Sequence, residues 1–352
     1  QKLLYQTMGL PQLDTTKKTG VAKTSKDVIM ELRERHPEHK TALDAILKYR
    51  AYRKGVKFLE NYQELADPDT ELLHADINTC AAITSRQSCK HPNLHNVSKS
   101  NVLLNPFPVP LRKVFVPKPG YVNIHIDYSG IEMRLAVHYS RDPEMLKIFE
   151  AGLDPQMEAA KMLYGQEKIV SVDKKTRKAM RDAAKNTNYA IIYGAGINQI
   201  RRTLGVSHGE INISAYKTRF GALCALNRDI ANEVRKNGYV TTIFGRRLYV
   251  PRSKPYVGVN FLIQCTAAEI MKQVQNRVHK YLQHRTNGKV GLIMSIHDEI
   301  ILELPRQKLD KLKPVLKHVT ELMTDFPEFL VSLKVDMAIT QTTWENKKAF
   351  KL

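Results

Sequence analysis

Cysteine is scarce: Cys80, Cys89, Cys224 and Cys265 are the four in 352 residues. None forms a CxxC pair, so the common zinc and thiol-redox motifs are excluded. Free thiols are expected, in a reducing compartment such as cytoplasm, a virus-infected cell or an organelle matrix. No run of 18 apolar residues occurs, and no basic amphipathic helix stands out, so no membrane partner is expected. The start, Gln1-Lys2-Leu3-Leu4-Tyr5, lacks the apolar stretch of a signal peptide. It also lacks an initiator Met, so the chain is expected to be trimmed or cut from something longer. Internal repeats and low-complexity linkers are absent too, which leaves one large domain or two to three subdomains. Acidic residues are in deficit, 35 Asp and Glu against 55 Lys and Arg, a net charge of +20. Such a balance suits a polyanionic partner, most simply nucleic acid, bound through phosphate contacts and counterion release.

Against these absences one stretch near the C-terminus stands out. Around His297-Asp298-Glu299, Val290, Leu292, Met294 and Ile296 alternate before the acidic pair, and Ile300 and Leu302 alternate after it. Period-two alternation on both sides of a tight connection predicts a hairpin. Its tip lacks the Gly or Asn that a plain hairpin turn prefers. Two carboxylates between buried strands repel each other unless a cation lies between them, so metal chemistry is the sharper reading. A solvated acidic turn is the plainer one, and the stretch alone favours it.

From the N-terminus, residues 1–24 read as irregular. Ser25 is placed to cap a helix that stops before Pro37. A second helix is expected over 40–61, with Leu43, Ile46 and Leu47 on its apolar side and Lys48, Arg50, Arg53, Lys54 and Lys57 along it. A solvated face or a phosphate track fits those cations. The polar stretch 62–112 contains Arg86, Asn93 and Asn96 and reads as a surface loop or a binding strap for sugar and base edges. A strand is expected to begin at Val114 and Val116, and a clearer one carries Val122, Ile124 and Ile126 to Asp127. A helix follows over 131–140, then one or two over 141–170. Asp173 caps a helix over 174–193, along which Arg177, Arg181, Lys185 and Tyr189 recur at every fourth position. Residues 195–250 read as mostly helical, ending in a basic hairpin over 241–250. A helix over 257–282 carries Asn260 and Gln264, a further one lies near 307–323, and a last strand holds Val335, Met337 and Ile339.

Three of these stretches carry a resemblance. Asp127-Tyr128-Ser129-Gly130-Ile131-Glu132-Met133-Arg134, then Arg181-Asp182-Ala183-Ala184-Lys185-Asn186-Thr187-Asn188-Tyr189, then His297-Asp298-Glu299 resemble, in order, the three polymerase motifs of family A DNA polymerases, the bacterial DNA polymerase I group. His91-Pro92-Asn93-Leu94-His95-Asn96, Phe244-Gly245-Arg246-Arg247 and Gln264-Cys265-Thr266-Ala267-Ala268 support the match. The resemblance runs over nearly the whole chain and implies an α+β right-hand polymerase. Its divisions would be a partial thumb base at 1–62, a first palm segment at 63–140, fingers at 141–258 and a second palm segment at 259–352. Template-directed DNA synthesis by two-metal phosphoryl transfer is the implied activity. Primer–template DNA and a deoxynucleoside triphosphate are the implied partners, with an upstream thumb or exonuclease region on this or a separate chain.

Roles carry over residue by residue. The resemblance makes Asp127, Asp298 and the carbonyl of Tyr128 the ligands of two magnesium ions, with manganese as an alternative. Glu299 would support that site, and His297 would approach the primer terminus. Arg181 and Lys185 would take the triphosphate, and Tyr189 would stack on the incoming nucleotide. Glu132 would be the steric gate against a ribose 2′-hydroxyl, and Tyr193 and Gly194 would lie at the templating position. Arg86, Asn93, Asn260, Gln264 and Lys54 would contact primer and template. The pattern is broken at Gly130, where many bacterial members have Gln, at Tyr189, often Phe, and at Ser85, usually Gly. Gln156 replaces a His that often touches the triphosphate, and Tyr256 replaces an Arg. These departures suggest a viral or organellar lineage. The rival readings are a single-subunit RNA polymerase, against which Glu132 and Glu299 count, and a non-catalytic nucleic-acid clamp.

Overall fold

A computed structural model of the chain describes residues 1–16, 19–97, 99, 107–195 and 213–352. The Lys17-Lys18 step and the 196–212 part of the expected helical run lie outside the described residues. Contacts divide the chain into two compact units. The first holds residues 1–76, 89–116 and 343–346; the second holds 77–88, 117–342 and 347–352.

In the first unit the Ser25 hydroxyl accepts from the Val28 N–H at 3.4 Å and starts the helix Lys26–Arg35. That helix packs Val28, Ile29 and Leu32 against Leu43 and Leu47 of the helix Lys40–Leu65. Residues 1–24 are not wholly irregular: Lys2–Thr7 winds into a wide helical turn, and Leu4 and Leu10 join the same small core. The expected strand at Val114 and Val116 does not form. Leu111–Val114 is a 3-10 turn, and the two valines are 50% and 63% exposed. Prolines at 108, 110, 117 and 119 supply no N–H to a ladder, so β-propensity is overridden. Phe115 instead meets Tyr62 and Trp344 edge-on at 5.3 and 5.7 Å between ring centroids.

The second unit is built on a five-stranded sheet. Its order is Gly291–Ile296, Glu299–Pro305, Tyr121–Tyr128, Val335–Thr340 and Lys348–Ala349, and every pairing is antiparallel. The central strand Tyr121–Tyr128 alternates. Val122, Ile124 and Ile126 are fully buried and share a core with Ile300, Leu302 and Leu304 and with the helices Ile131–Ser140, Gly258–Thr286 and Leu309–Thr324. The opposite face carries Asn123, His125 and Asp127. The architecture is therefore α+β, with an antiparallel sheet.

The hairpin forms, but one expectation about its faces fails. A β-bulge separates Leu292, opposite Leu302, from Met294, opposite Ile301. Ile293 is the extra residue and is 47% exposed. The extra residue puts Leu292 and Met294 on opposite faces, where unbroken alternation predicted one. Ser295, rather than Met294, then continues the face of Leu292. Residues 141–170 hold three helices, Pro143–Glu150, Pro155–Tyr164 and Gln166–Ser171, because Asp154-Pro155 starts a fresh helix that the count of breaks missed. The helix Lys174–Ile192 begins at Asp173, whose carboxylate accepts from the N–H groups of Lys175 and Thr176. The basic hairpin forms but begins two residues earlier than expected, pairing Tyr239–Thr241 with Arg247–Tyr249.

Candidate active site

Strand register brings the acidic positions together. Asp127 lies opposite Glu299 on one neighbouring strand and opposite Asp336 on the other. The Tyr128 N–H donates to the Asp298 carbonyl at 3.1 Å, so the backbone ties the end of the central strand to the hairpin tip. The tip turns at His297, an exposed residue with φ +54°. Beyond Tyr128 the chain turns at Gly130, φ +64°, a left-handed conformation that glycine adopts at little cost, and the helix Ile131–Ser140 starts there. The Tyr128 ring itself is core: its hydroxyl donates to the Met323 carbonyl, and burial raises its pKa.

The two neighbouring carboxyls at the tip differ sharply. Burial raises the Asp298 carboxyl above the usual aspartate range, and the charges of Glu132 and Glu299 push it the same way. Burial alone would also raise Glu299. The hydrogen bonds and charges of His125 and Lys347 outweigh it and hold that carboxyl at about 2. Glu299 Oε1 lies 2.9 Å from His125 Nδ1 and 2.6 Å from Lys347 Nζ.

The donor set tests the expected magnesium. Asp127, Asp298 and the Tyr128 carbonyl are hard oxygens of the kind magnesium takes. A carboxylate that burial and like charges disfavour gains most from a cation beside it. These residues fit the group. Among the described residues no cluster of three or more His, Cys, Asp and Glu suited to a metal occurs. Magnesium characteristically leaves the remaining positions to water and phosphate.

Beside the carboxylates lies a cavity of about 250 Å³ whose lining includes Gly130, Gln156, Arg181, Lys185, Tyr189 and Asp336. Arg181 is bound there by Asp154, which also caps the helix Pro155–Tyr164, and that bond raises the guanidinium's pKa. Gln156 lines the cavity but is buried, and its amide oxygen accepts from Asn188 at 2.6 Å. Burial, then the charges of Glu132 and Asp298, push the Tyr189 hydroxyl up to about 12. Glu132 is held at both oxygens, by Arg86 Nη2 at 2.8 Å and by the Tyr193 hydroxyl at 2.7 Å. Gly194 follows at φ +79°, where a Cβ would stand 2.8 Å from the Asn227 side chain, so only glycine fits. On the helix Gly258–Thr286, Gln264 donates to Asn260 at 2.6 Å. Lys54 and Asn93 belong to the first unit, where Lys54 lies 5.8 Å over the Phe58 ring. Reading the sequence alone missed His125, Lys347, Asp154 and Asp336. His125 had a signal, since it precedes Asp127 by two positions on one strand and so shares its face. Lys347 had none.

The family model described as DNA polymerase family A matches residues 1–346. The chain belongs to DNA polymerase family A. The thermostable DNA polymerase I of Thermus aquaticus is 30% identical over 334 residues, covering 91% of this chain and 38% of that protein. DNA polymerase I of Bacillus subtilis is 30% identical over 368 residues, covering 98% of this chain and 39% of that protein. The chain thus spans about two fifths of the length of these curated relatives. Among solved structures, the POL domain of Pol1 from M. smegmatis, in complex with DNA primer-template and dNTP, superimposes with a TM-score of 0.80 at 25% identity. That match covers 98% of this chain and 60% of the other. The fold is the polymerase fold of family A, as the three motifs led one to expect.

Proposed function

We propose that the chain catalyses template-directed addition of deoxynucleotides to the 3′ end of a DNA primer, with release of pyrophosphate. The observation that carries this reading is the backbone tie between Tyr128 and Asp298, which sets two carboxylates far apart in sequence at one end of one sheet. Membership of DNA polymerase family A and the ligands named for the M. smegmatis structure support it. Asp127, Asp298 and the Tyr128 carbonyl would hold magnesium, or manganese in its place. When bound, the ions supply Lewis-acid stabilisation of the attacking 3′-oxygen and of the departing pyrophosphate.

The chain's own residues do the rest. Arg181 and Lys185 take the triphosphate, Arg181 exchanging Asp154 for phosphate oxygens. Tyr189 stacks on the incoming nucleotide. Glu132, held by Arg86 and Tyr193, fills the space a 2′-hydroxyl would need. Movement of the Lys174–Ile192 helix onto a matched nucleotide precedes chemistry. In this reading residues 1–62 are a thumb base, 63–140 and 259–352 the palm and 141–258 the fingers. The remaining thumb and any exonuclease region are partners on this or another chain.

The test is single-nucleotide primer extension with magnesium, comparing the chain with Asp298→Ala. Extension by the parent and its loss in the variant is the expected result. Primer–template binding unaffected by metal, with no incorporation by the parent, would identify a clamp instead.

A further inference from the structure

The direction of the Glu299 carboxylate is set by identifiable partners. It lies opposite Asp127 in the sheet, and Ile301 lies opposite His125. Yet the Glu299 carboxylate reaches the His125 ring, at 2.9 Å. The side chain therefore leans one step along the sheet, from the register of Asp127 toward that of His125, away from the hairpin tip. His125 is 2% exposed, and its other nitrogen lies 2.9 Å from the Thr340 hydroxyl, so the ring is held on two sides. Lys347 Nζ reaches the same Oε1 at 2.6 Å from beyond the last long strand, with its side chain 21% exposed. Both groups lie in the second unit with Glu299.

We infer that Lys347 and His125 form a clamp that holds the Glu299 carboxylate back from the Asp127–Asp298 pair. The function of the clamp, resting on the polymerase reading above, is to keep that pair as the metal-binding carboxylates. A third anion one side-chain rotation away would otherwise join the ligand set and replace water or phosphate oxygens on the ion. A cation and a buried, doubly anchored ring suit this task, since a charge-assisted bond to a buried carboxylate keeps one geometry. Lys347 and His125 are positioning residues, acting through Glu299.

Manganese binding tests the clamp without relying on turnover. Free Mn2+ would be titrated by electron paramagnetic resonance against the parent, Lys347→Met, Glu299→Gln and the double variant, each with primer–template. Lys347→Met is expected to tighten Mn2+ binding by about threefold or more, because the released carboxylate joins the site, and to slow single-turnover incorporation by about tenfold, the scale typical of groups that orient ligands. Neither change is expected when Lys347→Met is added to Glu299→Gln, and Lys347→Arg should behave as the parent. A double-mutant cycle of this kind separates action through Glu299 from a general loss of positive charge, which would alter both backgrounds alike. Unchanged Mn2+ affinity in Lys347→Met, or the same change in both backgrounds, overturns the clamp. If the parent incorporates nothing while the cycle still shows coupling, the polymerase reading fails and the clamp stands. Circular dichroism of Lys347→Met checks that the fold is kept; Thr340→Val, which loosens the His125 ring, provides a second variant with the same expected sign.

Discussion

The two faces of the five-stranded sheet follow opposite rules. One buries Val122, Ile124, Ile126, Ile300, Leu302 and Leu304 against helices, and any apolar side chain of the right volume would serve there. The other carries Asn123, His125, Asp127 and Glu299, where each group's state depends on its neighbours. The contrast is sharpest between two adjacent residues. Burial, with like charges beside it, raises Asp298, whereas His125 and Lys347 hold Glu299 at about 2 despite burial. Sequence adjacency placed both acids at the tip, and specific partners made one a strained carboxylate and the other a settled one.

Breaking the apolar face should have the largest effect on stability. Ile126→Ala, at a fully buried position, is expected to cost about 2–5 kcal/mol in chemical denaturation. A loss below about 1 kcal/mol would mean that the helices do not depend on this face. Next comes Glu299. Its folded pKa lies below the ordinary value, so its contribution is fully present above the unfolded pKa and is lost as pH falls through the folded value. Glu299→Gln should therefore lose about 2–3 kcal/mol near neutrality, and the deficit should vanish between about pH 4.5 and about pH 2. Asp298 should show the opposite sign. Its raised pKa means that the charged form opposes folding at neutral pH, so Asp298→Asn should raise the Tm of the metal-free chain even while it removes a metal ligand. A lowered Tm would reverse the assignment of strain. The smallest effect belongs to Asp154→Asn, which keeps a capping side chain but removes the partner of Arg181. That pair is more than a third exposed, so a stability change below about 1 kcal/mol is expected in thermal unfolding. A larger loss would mean that the pair is structural and does not simply await an anion.

Much of this was legible because it is local. Ser25 and Asp173 cap helices with their own side chains, and the alternation of Val122, Ile124 and Ile126 is the period of a strand. The three motifs carried family and fold through residue identity. Errors arose where one local preference competed with another. Val114 and Val116 have β-propensity, but the prolines around them remove ladder donors. Ile293 is an apolar, β-branched residue like its strand neighbours, and nothing in its own chemistry marks it as the bulge that turns Met294 to the other face. Asp154-Pro155 is a helix start of the same kind as Asp142-Pro143, and weighing only the latter gave too few helices.

The sequence by itself determined that the chain is basic, and the resemblance of its three motifs pointed to family A and to the candidate acids and cations. Tertiary structure decided how those candidates are paired. A strand's period of two places Glu299 and Asp127 on a common face only once the register is set, and register depends on a bulge and on long-range pairing. The chain of contacts from Glu299 through His125 to Thr340 crosses three neighbouring strands, and Lys347 reaches Glu299 from just before the fourth. No local rule encodes it, because a hydrogen bond between residues that distant in sequence exists only after the sheet has closed.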